Sequence, residues 1–438
     1  MKTIRDLFHM KMNSRKLFIT WFLVTMIGSI LLIVSCASIN STVKENISRS
    51  VIKLEEETDY YKILYDNRFF QLDNWTEASV LNFIYNNYDD SALKTAFAEK
   101  EGYALYHDRA VETSVEALAS IVSNEVQWEF VRPAYWLGGR TILITLLHFM
   151  DYQQIRIALT GFGYFLFSLT MVIITKRKSS MIAVLFTGAF MLINFQYALM
   201  NMTLGMFCFW IAFIAMIYLS FAKEPDYLYL LFVIGLVTQY LEWFALSIIT
   251  FGIVTIYVIL LEWLKNKDIS FVELFNYIFN AAIGWILGFS IMFVGRLAIS
   301  YAVIGKDAIA YIFERVNDDV VSKGETSIFS SILNANLSCL KGIFPASITN
   351  LDSKGIFIIG ATVITMLLLA IIVCKDKRAI FLSCLLVSLA PILWISVLSS
   401  YCVNHYWILF RVLCVTVCGV LFIIFEFLKS IYELILKK

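Results

Sequence analysis

Apolar and polar stretches alternate along most of this chain on the scale of a bilayer crossing. Residues 17–35 form an apolar run long enough to span. One long polar segment follows, residues 37–140. Apolar runs then recur at 155–175, 181–200, 204–222, 227–241, 243–263, 275–298, 355–374, 379–399 and 407–428. The pattern predicts an all-α integral membrane protein with about ten transmembrane helices in a single polytopic domain, residues 1–438. The run at 142–150 is too short to span and ends at Asp151, which predicts an interfacial or re-entrant helix. With it, the first outer loop covers residues 37–152. A second outer loop covers 300–354, where Arg315, Lys323, Lys341 and Lys354 face several acids.

Within the first loop, amphipathic periodicity predicts short helices around 52–64, 75–85 and 114–126. The turn Arg132-Pro133-Ala134-Tyr135-Trp136-Leu137-Gly138-Gly139-Arg140 suits a headgroup-level position.

Charge orients the spans. Lys2, Arg5, Lys11, Arg15 and Lys16 precede the first run, and Lys176-Arg177-Lys178, Lys223, Lys265, Lys267, Lys375, Lys377, Arg378, Lys429, Lys437 and Lys438 fall on the same predicted side. Short basic loops stay inside, so both termini are predicted cytoplasmic in a multi-pass protein of the cell membrane, in contact with lipid. The run at 17–35 also resembles a signal peptide, with Ile33-Val34-Ser35-Cys36 resembling a lipoprotein cleavage box; its length and the spans that follow favour the outer end of a first span.

Composition narrows the function classes. Sixty per cent of residues are hydrophobic and 16% charged, which excludes an ordinary soluble domain. A net charge of +1 supplies no field for nucleic acid. The eight cysteines are scattered without a CxxC pair, so neither zinc nor redox motif is indicated. No Gly-rich phosphate loop, HExxH or GxSxG is present. The lack of an internal repeat disfavours inverted-repeat transporters. Sequons at Asn40, Asn46 and Asn74 matter only in a eukaryotic secretory lumen.

Three constellations can carry chemistry. Asp73 and Glu77 lie one helical turn apart in Leu72-Asp73-Asn74-Trp75-Thr76-Glu77. They read either as a solvated helix face or as acids that deprotonate an acceptor hydroxyl or hold a divalent metal. Glu242, in Gly235-Leu236-Val237-Thr238-Gln239-Tyr240-Leu241-Glu242-Trp243, tips a short span and reads as a further acid of one outer cavity or as a wetted turn. Arg156, Arg296, His405 and Arg411 lie near predicted outer ends; they read as phosphate ligands or as side chains that snorkel or pair.

Several of these pieces resemble the GT-C glycosyltransferases, and more closely a group of GT-C-like membrane proteins of Gram-positive bacteria. Leu72–Glu77 is similar to the group's Leu-Asp-Asn-aromatic-Thr-Asp motif, with Glu for the last Asp. Gly235, Thr238 and Glu242 match its Gly-x-x-Thr-x-x-Phe/Leu-Asp tip, again with Glu for Asp. Tyr135, Trp136 and Gly138 match a Tyr-Trp-His-Gly turn, with Leu137 for the histidine. His405, Tyr406, Trp407 and Arg411 match a His-Tyr-Trp-x-x-x-Arg stretch, and Asp151-Tyr152-Gln153-Gln154-Ile155-Arg156 fits a loop-to-helix joint. Thr145 stands where an arginine is expected.

The resemblance implies an enzyme that transfers a sugar from a polyprenyl-phosphate donor to a cell-surface glycan or glycolipid. Asp73 is then the base, and Glu77 and Glu242 are supporting acids. Arg156, His405 and Arg411 engage the donor phosphate. Trp75, Tyr135, Trp136 and Trp407 contact sugar or acceptor, although Trp is more often an interfacial anchor. The rivals are a lipid-linked-sugar flippase, a surface-polysaccharide polymerase relying on 300–354, and a catalytically silent relative.

Overall fold

The computed structural model describes residues 13–61, 68–88, 91–103, 106–107, 110–111, 113–125, 128–131, 135–320, 328–343 and 353–436. Lys2, Arg5 and Lys11 of the basic N-terminal cluster, Arg132, Pro133 and Ala134 of the aromatic turn, and Lys323 lie outside these residues.

The chain is a helical membrane protein. Among the described residues, seven helical segments are long and apolar enough to cross a bilayer: Ser14–Ala37, Tyr152–Arg177, Met202–Phe221, Phe244–Lys265, Phe271–Ile304, Lys375–Val397 and Asn404–Leu436. Three shorter apolar helices, Ser180–Leu192, Tyr227–Leu241 and Ile358–Val373, stand at the other predicted spans. Ser14–Ala37 is peripheral and turns Phe18, Phe22, Ile27 and Val34 outward, as a lipid-facing helix does. Ile248–Lys265 is central, with nearly every side chain buried.

Several spans are interrupted. The predicted run 181–200 divides at Asn194, which adopts a left-handed conformation between Ser180–Leu192 and Phe195–Leu199. Met202–Met206 is an irregular, wider turn ahead of Phe207–Phe221. Leu204 there is non-helical, and Gly205 has φ +112°, a conformation that suits glycine. Arg378–Ser388 and Ala390–Val397 divide at Leu389, with Pro391 opening the second piece.

Tyr227–Leu241 packs closely against Phe271–Ile304. A Cβ on Gly288 would lie 2.1 Å from Phe232 O, one on Gly284 2.2 Å from Leu228 O, and one on Gly235 2.4 Å from Trp285 O. Backbone therefore touches backbone along this seam, as small-residue motifs allow in membranes.

The polar segment 37–152 is less purely helical than its periodicity suggests. Its first helix runs Ser41–Glu57, because Asn40 caps it and Thr58, at φ +59°, ends it within the predicted 52–64, of which residues 62–64 lie outside the described residues. Asn74–Tyr85 and Ser114–Val122 form close to the predicted places, the latter opened by a capping box of Thr113 and Glu116. Two short antiparallel ribbons were not expected: Lys100–Tyr103 pairs with Trp128–Val131, and Tyr106–His107 with Ala110–Val111. Asn74–Tyr85 packs on Ser41–Glu57 and on Ser114–Val122. Gly139–Leu147 is the predicted short helix before Asp151. In the segment 300–354, Asp307–Val320 and Ile328–Lys341 are helical, and the latter packs on Ser399–Leu409.

Candidate functional site

The Asp73 motif is first of all a helix start. Asp73 is the N-cap of Asn74–Tyr85: its Oδ1 accepts from Thr76 N at 3.3 Å and its Oδ2 from Thr76 Oγ1 at 2.6 Å. Asp73 N donates to Asn201 Oδ1 at 3.0 Å. Unlike a surface cap, this carboxyl is 3% exposed. Burial, set against the two bonds from Thr76, lifts it to about 7, and the neighbouring charges of Glu77 and Asp59 add to the rise. Tyr60 and Arg411 both lie within its electrostatic reach.

Glu77 is not on a solvated face. It is fully buried, and its Oε1 accepts from Thr203 N at 3.0 Å and Thr203 Oγ1 at 2.9 Å. Its Oε2 has no hydrogen-bond partner; the buried Tyr152 hydroxyl faces it without closing a bond of ordinary geometry. Burial raises this carboxyl as well. Glu242 is 2% exposed and accepts from Gly205 N at 3.2 Å and Cys208 N at 3.0 Å. It caps the helix Phe207–Phe221 from another segment, where the helix N-terminus favours an anion. Desolvation still lifts it to about 8, with Glu77 adding to the rise.

The three acids thus meet on one irregular strip, Asn201–Cys208. Asn201 takes the Asp73 backbone, Thr203 binds Glu77, and the Gly205 and Cys208 amides bind Glu242. Among the described residues no group of three or more His, Cys, Asp or Glu side chains is arranged to hold a metal ion.

The predicted cations are placed differently from one another. Arg156 donates to Glu57 Oε2 at 2.9 Å and to Asn74 Oδ1 at 2.6 Å, and Asn74 Nδ2 closes the triangle to Glu57 at 3.1 Å. Its joint is a capping box of Asp151 and Gln154. Arg411 is fully buried; its Nη1 donates to Trp407 O at 3.4 Å, while Nε and Nη2 have no partner. His405 is half-buried, stacks on Tyr401 at 4.3 Å, and sits where Ser399–Leu409 kinks.

Of the aromatic candidates, Trp75 and Tyr135 are half-buried, with Tyr135 stacked on Trp243 at 5.1 Å. Trp136 is fully buried and donates to Met292 O at 2.9 Å. Trp407 is buried against Tyr60, and Phe69 contacts Tyr406 and Phe410. The late helix thus packs on the strip leading into Asp73.

Sequence reasoning missed Glu57, Asn201 and Thr203, and it did not foresee a second buried cluster. Arg296 pairs with Glu99 at 2.8 Å and reaches Phe97 O and Ala96 O at 3.4 Å; Arg140 donates to Ala96 O at 2.9 Å. Arg296 lies near its span end, and nothing local points to a partner at Glu99. Leu137, in place of the motif histidine, has φ +47°. Thr145 bonds within its own helix, to Thr141 O. Asn46 and Asn74, in two of the sequons, are buried and bonded to Leu147 O and Glu57.

No protein-family description, curated protein or solved structure matches the chain.

Proposed function

We propose that the protein is a cell-membrane glycosyltransferase with about ten spans and both termini cytoplasmic, acting on the outer face on a polyprenyl-phosphate sugar donor and a glycan or glycolipid acceptor. The observation that carries this reading is Asp73, a buried carboxyl held near 7 within electrostatic reach of Arg411, whose guanidinium keeps unpaired N–H groups. A carboxyl with that affinity is poised as a general base at neutral pH. The acceptor hydroxyl gives its proton to Asp73. Its oxygen bonds the anomeric carbon as the bond to the donor phosphate oxygen breaks, and the charge gained by the phosphate faces Arg411.

In this scheme Glu77 and Glu242 are positioning residues that fix Asn201–Cys208. Arg156 and Glu57 hold the start of the base-bearing helix through Asn74, while His405, on the kinked helix ahead of Arg411, is assigned to the donor phosphate. Trp75 and Tyr135, being half-buried, are the aromatics open to a sugar ring.

The test is reconstitution of the purified protein with radiolabelled polyprenyl-phosphate sugars and candidate acceptors, wild type beside Asp73→Asn. Transfer by the wild type that falls by 10²-fold or more in the variant supports the scheme. Equal transfer by both removes Asp73 as base. Labelled lipid that crosses the bilayer without transfer replaces the enzyme with a flippase, and inertness toward every donor favours a catalytically silent relative.

A further inference from the structure

Six of the eight cysteines need no explanation beyond packing; Cys339 and Cys402 do. Their sulfur atoms lie 3.3 Å apart, the one sulfur–sulfur contact among the described residues, and both side chains are fully buried. They are 63 positions apart in the chain, Cys339 on Ile328–Lys341 and Cys402 on Ser399–Leu409. The seam between these helices is specific. Cys402 Sγ approaches Ala335 O at 3.6 Å, Cys339 Sγ approaches Tyr406 O at 3.9 Å, and Asn336 Nδ2 donates to Ser396 Oγ at 3.1 Å. Closing 3.3 Å to a bond of about 2.0 Å asks for a shift of about 1.3 Å shared by two side chains.

We infer that Cys339 and Cys402 form a disulfide that staples the second outer segment to the helix carrying His405 and Trp407. The inference rests on the topology proposed above, which places both helices on the outer side, where thiol oxidants act. The co-reactant is an extracytoplasmic protein or small-molecule disulfide. The thiolate of one cysteine attacks a sulfur of that disulfide and expels the other sulfur as thiolate. The second cysteine then attacks the mixed disulfide, forming Cys339 Sγ–Sγ Cys402 and releasing the remaining thiolate. Two electrons pass to the oxidant, and the two thiol protons end on its reduced sulfurs. Contact with Cys402 and burial raise the Cys339 thiol well above its ordinary value once packed, so exchange occurs while the two helices are coming together.

The experiment uses full-length protein in membranes isolated without reductant. Free thiols are blocked with N-ethylmaleimide in denaturant, then the sample is reduced and treated with a mass-tagged maleimide. The expected result is two tags per chain, at Cys339 and Cys402, and a linked peptide in the unreduced digest. Cys402→Ser should abolish both tags. Cys339 and Cys402 already blocked before reduction would overturn the disulfide. A reporter at exposed Leu333, made as Leu333→Cys, separates the two ideas: labelling by an impermeant maleimide in intact cells places the segment outside. An unlabelled reporter with free Cys339 and Cys402 refutes the topology and with it the disulfide. A labelled reporter with both thiols free refutes the disulfide alone.

Discussion

Replacing Asp73 by asparagine should make the protein more stable at neutral pH, a result opposite to that expected of an ordinary helix cap. The substitution keeps the shape and an oxygen that can accept from Thr76, but it removes an ionisable group buried to 3% exposure. The carboxyl moves from an ordinary 3.8 to about 7 in the folded protein. A folded affinity above the unfolded one means that the folded state binds the proton more tightly. Wild-type stability is therefore full below about 4 and falls as pH rises toward 7, then levels off. The interval corresponds to at most ~4 kcal/mol. Asparagine does not titrate, so the variant's advantage should be near zero at pH 4 and reach up to ~4 kcal/mol at pH 7 to 8. The assay is unfolding of detergent-solubilised wild type and variant from pH 4 to pH 8, followed by tryptophan fluorescence, with Trp75 two residues from the change. A difference that does not vary with pH, or a variant less stable at pH 7, would refute the burial argument and with it the poised base.

Thr76→Val keeps the side-chain shape and removes the 2.6 Å bond to Asp73, so the acidic limb of the pH–rate profile should move up by about 1 to 2 pH units; an unmoved limb separates that limb from Asp73. Arg411→Gln should raise KM for the lipid donor by about tenfold or more with the fold intact, while Arg156→Gln should cost about 3–5 kcal/mol of stability by removing the cation paired with buried Glu57, partly restored by adding Glu57→Gln; donor titration and unfolding curves tell the two arginines apart. Gly288→Ala places a methyl 2.1 Å from Phe232 O and should lower stability by about 1–3 kcal/mol, seen as an earlier unfolding midpoint; an unchanged midpoint would contradict the backbone contact.

What was readable in the sequence was what hydropathy and local chemistry encode. Tyr227–Leu241 occupies the very positions predicted, because Asp226 caps its start and Glu242 follows its end. The Asp73 stretch was readable as a helix, which forms over Asn74–Tyr85 with Asp73 as its cap and Glu77 in its first turn. Its environment was not readable. Whether Glu77 meets water or Thr203 depends on a contact across 126 positions, and no local pattern carries it. Arg296 and Glu99, 197 positions apart, met for the same reason. Asn201–Cys208 looked like the boundary between two apolar runs; its role as a receptor for the Glu77 and Glu242 carboxylates and the Asp73 amide comes from broken backbone geometry, for which Gly205 is a weak local hint. The ribbons escaped notice because strands of two to four residues have too few positions to show a period.

The contacts between Ala96–Arg140 and the spans bear on how the protein comes apart. Trp136 donates to Met292 O, Gly138 N to Tyr240 O at 2.8 Å, and Arg296 holds Glu99 and two carbonyls of the loop. The polar insert is thus keyed into the apolar bundle by buried bonds rather than resting on it. Cut away, it would leave a buried guanidinium unpaired and Tyr240 and Trp243 bare. The insert is bonded into the bundle and does not stand as a separate module. Its melting and that of the helices beneath it should therefore coincide in one transition, which tryptophan fluorescence and helical circular dichroism followed together would check.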